Sequence, residues 1–158
     1  GDVVDMNKVL YYNQPALRVL SRLDIPSVMG NHDYRFKERH RHRLDNEARA
    51  YLDQMPFWLD VRFSGNWIRI YHATPEGWED FALERACEKT FRALFGEEGA
   101  DIIVVGHTHK PYVKTVDGTN FINPGALGVP DQEPPTFCVL SRDGSAEILH
   151  LDQKARTK

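Results

Sequence analysis

Three short apolar runs in this sequence each end at a polar turn that contains histidine. Ile25–Met29 is followed by Gly-Asn-His-Asp, Trp67–Tyr71 by His72, and Asp101–Val105 by Gly-His-Thr-His. Short apolar runs bounded by turn residues are typical of buried β-strands. In an open α/β sheet the carboxyl ends of such strands meet at one edge, and ligands bind there. The sequence therefore predicts an α/β fold whose binding site collects these turns.

Helical and hairpin patterns account for most of the remaining chain. Apolar residues spaced by three and four predict helices over residues 13–23, 36–55 and 79–95. Paired strand patterns around short turns predict hairpins that join 58–63 to 67–71, 112–116 to 119–122, and 137–140 to 147–151. The chain has 158 residues, of which 41% are hydrophobic, so it can bury a core of its own. We predict a single layered α/β domain over residues 1–158.

Composition limits which classes of partner the protein can bind and where in the cell we expect it. A formal net charge of −3 argues against a general nucleic-acid-binding surface. The longest aliphatic run, Ile102–Val105, is far shorter than the roughly 20 residues of a membrane helix. Cys87 and Cys138 lack the spacing of a thiolate metal site or a disulfide framework. We expect a cytoplasmic protein without a membrane segment, and self-association is compatible with this composition.

His107 and His109 lie two residues apart directly after an aliphatic run. If the extended geometry of the strand continues, both imidazoles project to one side and can approach the same metal ion. An isolated His-x-His pair is more often two polar loop residues near a sheet edge. The pair therefore becomes a metal-site hypothesis only in combination with other donors.

Further donors occupy equivalent places after the other apolar runs. Asn31 offers a neutral oxygen ligand, His32 can donate a proton, and Asp33 can orient it. Taken alone, these residues fit an ordinary turn, and His72 fits a capped surface group. Together with Asp2 they mix hard oxygens and imidazoles without thiolate, which suits Mn²⁺, Fe or Zn²⁺. The combination predicts a clustered metal site.

The order of these motifs resembles the calcineurin-like metallophosphoesterase superfamily. The matching motifs are Gly1-Asp2, Gly30-Asn31-His32-Asp33, His72 and Gly106-His107-Thr108-His109. A further loop, Asn123-Pro124-Gly125-Ala126-Leu127-Gly128, and the final hairpin are similar to those of the small bacterial and archaeal phosphodiesterase branch. The resemblance implies a layered α-β-β-α sandwich that lacks, in this chain, the leading strand-helix-strand unit with its Asp-x-His motif. An upstream segment carrying that motif is therefore expected.

The resemblance also implies two divalent metal ions, with Mn favoured over Fe or Zn. Asp2 would bridge the two ions. One ion would be completed by Asn31, His72 and His107, whereas His109 would belong to the other. His32, held by Asp33, would stabilise the phosphoryl transition state or protonate the leaving oxygen. A bridging hydroxide would attack phosphorus in line.

The implied function is hydrolysis of small phosphate esters, as a phosphodiesterase or a phosphatase. An alternative is a protein-interaction scaffold, because the retromer subunit of this fold serves mainly as a binding platform. The His32-Asp33 pair favours an enzyme, since a platform needs no proton donor beside the metals. A nuclease of the same superfamily would usually need added DNA-binding segments.

Two sequence features leave substrate binding open. Asp131 stands where relatives often carry a basic residue. The segment from Arg35 to Arg43 contains five basic residues and one acidic residue. It is either a solvated helix face or a patch that steers the substrate.

Overall fold

The computed structural model describes residues 1–4, 10–78, 85–96, 98–128 and 134–151. Within these residues the helices are α1 (Leu10–Leu23), α2 (Asn31–His40), α3 (Asn46–Gln54) and α4 (Glu88–Phe95), with one 3-10 turn at Arg41–Arg43. The strands are β1 (Trp58–Phe63), β2 (Asn66–Tyr71), β3 (Ile102–Val104), β4 (Tyr112–Val116), β5 (Thr119–Asn123), β6 (Thr136–Leu140) and β7 (Ala146–His150). The chain divides into two compact units, Gly1–Leu59 and Asp60–Lys158. None of the described helices is long and apolar enough to cross a bilayer.

The first unit is helical, and α1 packs against α3. Leu17 of α1 and Ala48 and Leu52 of α3 are completely buried. The ion pairs Arg18–Asp45 and Arg22–Glu47 join the exposed sides of the two helices. Apolar burial therefore holds this pair together, since exposed ion pairs of this kind contribute little.

The prediction of one long helix over residues 36–55 is wrong. The structure divides this segment into the end of α2, the 3-10 turn and α3. Asp45 causes the division: its carboxylate accepts a hydrogen bond from the backbone N–H of Ala48 (2.8 Å) and caps a new helix. Aspartate favours such a cap over a helix interior. The apolar positions Phe36, Leu44 and Leu52 are nevertheless buried, as the periodicity predicted.

The strand and turn predicted before this helix are also wrong. Val28 and Met29 are buried, but the segment around them forms no strand ladder. Pro26 lacks a backbone N–H, and one backbone hydrogen bond, from Met29 N–H to the Pro56 carbonyl (2.7 Å), ties the segment down. The predicted turn at Gly30 is the start of α2, with Gly30 as its N-cap.

The second unit contains two sheets and α4. The five-stranded sheet has the order β1-β2-β3-β5-β4, in which β3 pairs in parallel with β2 and β5. Phe91 and Phe95 of α4 pack with Ile103 of β3 in one core cluster. Ile102 lies in another cluster, against Ile148 and other side chains of the β6-β7 pair. Helix, sheet and sheet thus form three successive layers, and the predicted α/β fold class is confirmed.

The three predicted hairpins are confirmed as β1-β2, β4-β5 and β6-β7. Asp117 and Gly118 both have positive φ (51° and 85°) in the β4-β5 turn, as a tight two-residue hairpin turn requires. Of the helix predicted over residues 79–95, the structure shows the part from Glu88 to Phe95 as α4. Residues 79–84 lie outside the described residues. The helical period of that prediction would place Cys87 on the inner face of the helix, but Cys87 is the exposed N-cap of α4.

Replacing Asp45 with alanine is expected to lower the free energy of unfolding by about 1 kcal/mol, the usual value of such a cap. The Ala48 N–H bond and the Arg18 pair lower the pKa of Asp45 below its ordinary 3.8. The ionised carboxylate therefore stabilises the protein above about pH 4 and stops doing so as the pH falls through its lowered pKa. Urea unfolding at pH 7 and pH 3 measures both effects.

Asparagine at position 45 keeps the cap but loses the charge. The Asp45→Asn variant should therefore lie between the wild type and the alanine variant at pH 7. Equal stability of all three proteins at pH 7 would contradict the capping role.

Candidate metal centre

In the second unit, two histidines follow neighbouring parallel strands. His72 comes directly after β2 and is 3% exposed, and His107 comes three residues after β3. The backbone N–H of Gly106 donates to the His72 carbonyl (2.8 Å), which holds the two chain segments together at this edge. As a result, His107 Nδ1 lies 3.2 Å from His72 Nε2.

This imidazole pair fits the coordination sphere of one metal ion. With metal–nitrogen bonds of roughly 2.0 to 2.1 Å, two neighbouring ligands of one ion lie about 2.8 Å (octahedral) to about 3.4 Å (tetrahedral) apart. The 3.2 Å separation falls in this range. The two rings meet edge to face, with an interplanar angle of 71°, so their nitrogens converge without the rings stacking. His72 and His107 are therefore suited to hold a metal ion as neighbouring ligands.

The turn after β3 has a different backbone from the one predicted. His107 and His109 have φ values of 66° and 58°, in the left-handed region, and Thr108 N–H donates to the Gly106 carbonyl (2.7 Å). The extended geometry that was the condition for the His-x-His argument therefore does not continue past β3. The tight turn, and not a strand, aims His107 at His72. A role for His109 at a second ion stays a prediction.

Asn123 is a positioning residue, a role that the resemblance of its Asn-Pro-Gly loop did not predict. It ends β5 and is completely buried. Its Nδ2 donates to the Gly106 carbonyl (2.9 Å) and to the Thr108 hydroxyl (3.0 Å), while its Oδ1 accepts from Gly125 N–H (2.9 Å). Asn123 thus fixes the turn that carries His107. The available signal was the Asn-Pro-Gly sequence that directly follows the apolar residues Phe121 and Ile122.

Gly125 is required by the same arrangement. Its φ is +80°, and a Cβ atom there would lie 1.9 Å from the Thr136 hydroxyl oxygen. Any side chain would displace either Thr136 or the loop that Asn123 holds. The Asn-Pro-Gly sequence therefore has a packing explanation within this unit.

In the first unit, Asp2 lies against the start of α2. Its Oδ1 accepts a hydrogen bond from the backbone N–H of His32 (2.9 Å). A Cβ atom on Gly30 would lie 2.1 Å from that same oxygen, so glycine is needed for this approach. Asn31, the first residue of α2, is 8% exposed, and His32 is half-buried. Asp2, Asn31 and His32 are therefore gathered at one helix end.

Asp33 is completely buried beneath this group. Its two carboxylate oxygens accept from the backbone N–H groups of Val4 and Gly30, both at 3.0 Å. Burial raises the pKa of Asp33, and these backbone donors oppose that rise. Asp33 therefore fixes the backbone just after Asp2 and just before His32. Orientation of the His32 ring by Asp33 stays a prediction.

The chain has relatives among archaeal proteins. It is 37% identical over 68 residues to a probable metallophosphoesterase of Methanothermobacter thermautotrophicus, a match that covers 41% of this chain and 40% of that protein. It is 24% identical to an uncharacterized protein of Methanocaldococcus jannaschii over 87% of this chain and 69% of the relative. The match to the Methanothermobacter protein thus spans less than half of that relative.

Solved structures share the fold. A metallophosphoesterase from Sphaerobacter thermophilus has a TM-score of 0.64 at 19% identity, over 89% of this chain and 71% of that one. A novel archaeal phosphodiesterase has a TM-score of 0.58 at 18% identity, over 96% and 79%. A hypothetical protein from Pyrococcus horikoshii has a TM-score of 0.61 at 19% identity, and the match covers 88% of this chain and 56% of that one.

A family model matches most of the chain. The model for the calcineurin-like phosphoesterase superfamily domain aligns with residues 1–145, which include both histidine turns and the start of α2. We conclude that this chain belongs to the calcineurin-like phosphoesterase superfamily.

Proposed function

We propose that the protein is a metal-dependent hydrolase of phosphate esters, with phosphodiesters favoured as substrates. The observation that carries this proposal is the pair of buried His72 and half-buried His107, whose nitrogens are spaced as ligands of one ion. The superfamily consists of phosphoesterases by name, and one protein of the same fold is described as a phosphodiesterase. A protein-interaction scaffold would not need two converging imidazoles at a strand edge.

We propose two divalent metal ions, with Mn favoured over Fe or Zn. Asn31, His72 and His107 would hold one ion, His109 would hold the other, and Asp2 would bridge them. The mixed oxygen and imidazole donors suit such ions. Bound metals would supply Lewis-acid activation of the attacking water and would neutralise charge on the phosphoryl group.

The residues around His32 would act on the phosphoryl group itself. The hydrogen bond from His32 N–H to Asp2 fixes the first turn of α2, and a helix N-terminus favours a nearby anion. His32 is half-buried, so its ring can be reached by a substrate. In this proposal His32 donates a proton to the leaving oxygen, and Asp33 keeps the backbone of His32 in place.

A cytoplasmic location is part of the proposal as well. Cys87 and Cys138 are both free thiols. Unpaired cysteines are typical of reducing compartments. A small phosphorylated substrate and self-association are likewise proposed.

Substitution of His107 by alanine is expected to abolish both metal retention and hydrolysis, because it removes one of two adjacent ligands. Metal content by elemental analysis after dialysis, and turnover of bis(p-nitrophenyl) phosphate with Mn²⁺, measure the two effects. His150→Ala is the matched control, because His150 is an exposed histidine of β7. Full activity of the His107 variant would contradict the proposed centre.

Substitution of His32 by alanine is expected to lower turnover about 10²- to 10⁴-fold, the usual contribution of one positioned proton donor. Metal content should stay at the wild-type level, because His32 is not a proposed ligand. Steady-state kinetics and elemental analysis on the same preparation separate the two roles. Loss of metal together with activity would mean that His32 is a ligand instead.

Substitution of Asn123 by alanine is expected to lower the free energy of unfolding by about 1 to 3 kcal/mol, because it leaves buried partners of Asn123 unpaired. It should also weaken metal retention, since the turn carrying His107 is released. Thr108→Val, which removes one of these hydrogen bonds, should have a smaller effect on both. Equal metal retention by the wild type and the Asn123 variant would exclude the positioning role.

A further inference from the structure

We infer that the exposed face of α2 binds a second phosphate group of the substrate, through Arg39 with Arg43 just beyond the helix. This inference rests on the proposed hydrolase function and names the substrate class: small phosphate esters that carry an additional phosphate. Three observations carry it. Ion pairs occupy only part of the basic segment from Arg35 to Arg43, Arg39 lies at a helical spacing from His32, and the side chains of Arg39 and Arg43 are exposed.

The structure divides the basic segment into a paired face and an exposed face. Lys37 and Arg41 both bind Asp53 of α3, at 2.9 and 2.7 Å. These hydrogen bonds, with that from Lys37 contributing most, lower the pKa of Asp53. Lys37 and Arg41 thus have a structural role in joining α2 and its following turn to α3.

Arg39 and Arg43 have a different environment. Both are exposed, and no ion pair is found for either within the residues that the structure describes. Glu38 is the acidic residue on the exposed part of α2, and it lies about 100° around the helix from Arg39. The positive charge of these two side chains is therefore available to an anion from solvent.

Helical geometry relates this charge to the proposed reaction. Arg39 is seven residues after His32, which places it about 20° away around the helix and about 10 Å further along the axis. Arg35 lies between them on the same side. A substrate whose reacting phosphate is beside His32 would thus place a second phosphate, on the order of 10 Å away, within reach of Arg39.

The positive charge of this segment contrasts with the negative net charge of the whole chain. The chain carries −3 overall, whereas the segment from Arg35 to Arg43 has five basic residues and one acidic residue. Basic residues in a last helical turn also interact favourably with the helix dipole. The dipole would account for Arg39 without any ligand, so the experiment must measure binding and not stability alone.

The test compares two dinucleotides that differ only in a 5′-terminal phosphate. Both carry a phosphorothioate linkage to slow hydrolysis, and their dissociation constants for the full chain with Mn²⁺ are measured by titration calorimetry. The terminal phosphate is expected to tighten binding to the wild type about tenfold, as charge-assisted hydrogen bonds do. The gain should shrink at high ionic strength, because exposed charges are screened.

The variants Arg39→Gln and Arg39→Gln/Arg43→Gln should reduce this gain in affinity stepwise, until the two dinucleotides bind equally to the double variant. Arg142→Gln is the matched control, because Arg142 is an exposed arginine in the β6-β7 turn. It should keep the full gain. Equal binding of the two dinucleotides by the wild type, or an equal loss in the Arg142 variant, would overturn the inference.

Hydrolysis of bis(p-nitrophenyl) phosphate by the wild type tests the proposed function separately. This diester has no second phosphate. A protein that hydrolyses it but binds both dinucleotides equally would retain the proposed function without the second site. A protein that shows the phosphate-dependent binding but no hydrolysis would retain the site and lose the proposed function.

Discussion

The parallel pairing of β3 with β2 and β5 is the constraint on which the second unit depends. This three-residue strand has a hydrogen-bonded neighbour on each side. Its consecutive residues Ile102 and Ile103 face opposite core clusters, one toward the β6-β7 pair and the other toward α4. Because parallel strands end at the same edge, this pairing also brings His72 and His107 together. One short strand thus organises both the packing and the candidate site.

Buried polar side chains then fix the turns at the strand and helix ends. Asn123 in the second unit and Asp33 in the first are both completely buried, and their hydrogen bonds go largely to backbone groups. A buried polar group without partners is costly, so each side chain allows few alternative loop conformations. In each unit, one such residue holds the segment that carries a candidate site histidine.

Charge in this protein is organised locally. A net charge of −3 suggests a mildly acidic surface. Nevertheless, Asp53 forms ion pairs with the basic side chains Lys37 and Arg41, whereas Arg39 is exposed on another side of α2. Asp45 similarly combines a helix cap with ion pairing to α1. Local geometry decides which charges stabilise the fold and which can meet a ligand.

The sequence by itself determined the α/β class, the three hairpins and the histidines after β2 and β3, because strand alternation, turn residues and buried helix positions are local signals. It also identified Phe36, Leu44 and Leu52 as core residues. Only the tertiary structure decided that Asp45 divides the long helix and that His107 adopts a left-handed backbone. The same holds for Asn123, whose partners are up to 17 residues away. These features depend on hydrogen bonds between distant residues, and such bonds form only once β3, β5 and the turns have come together.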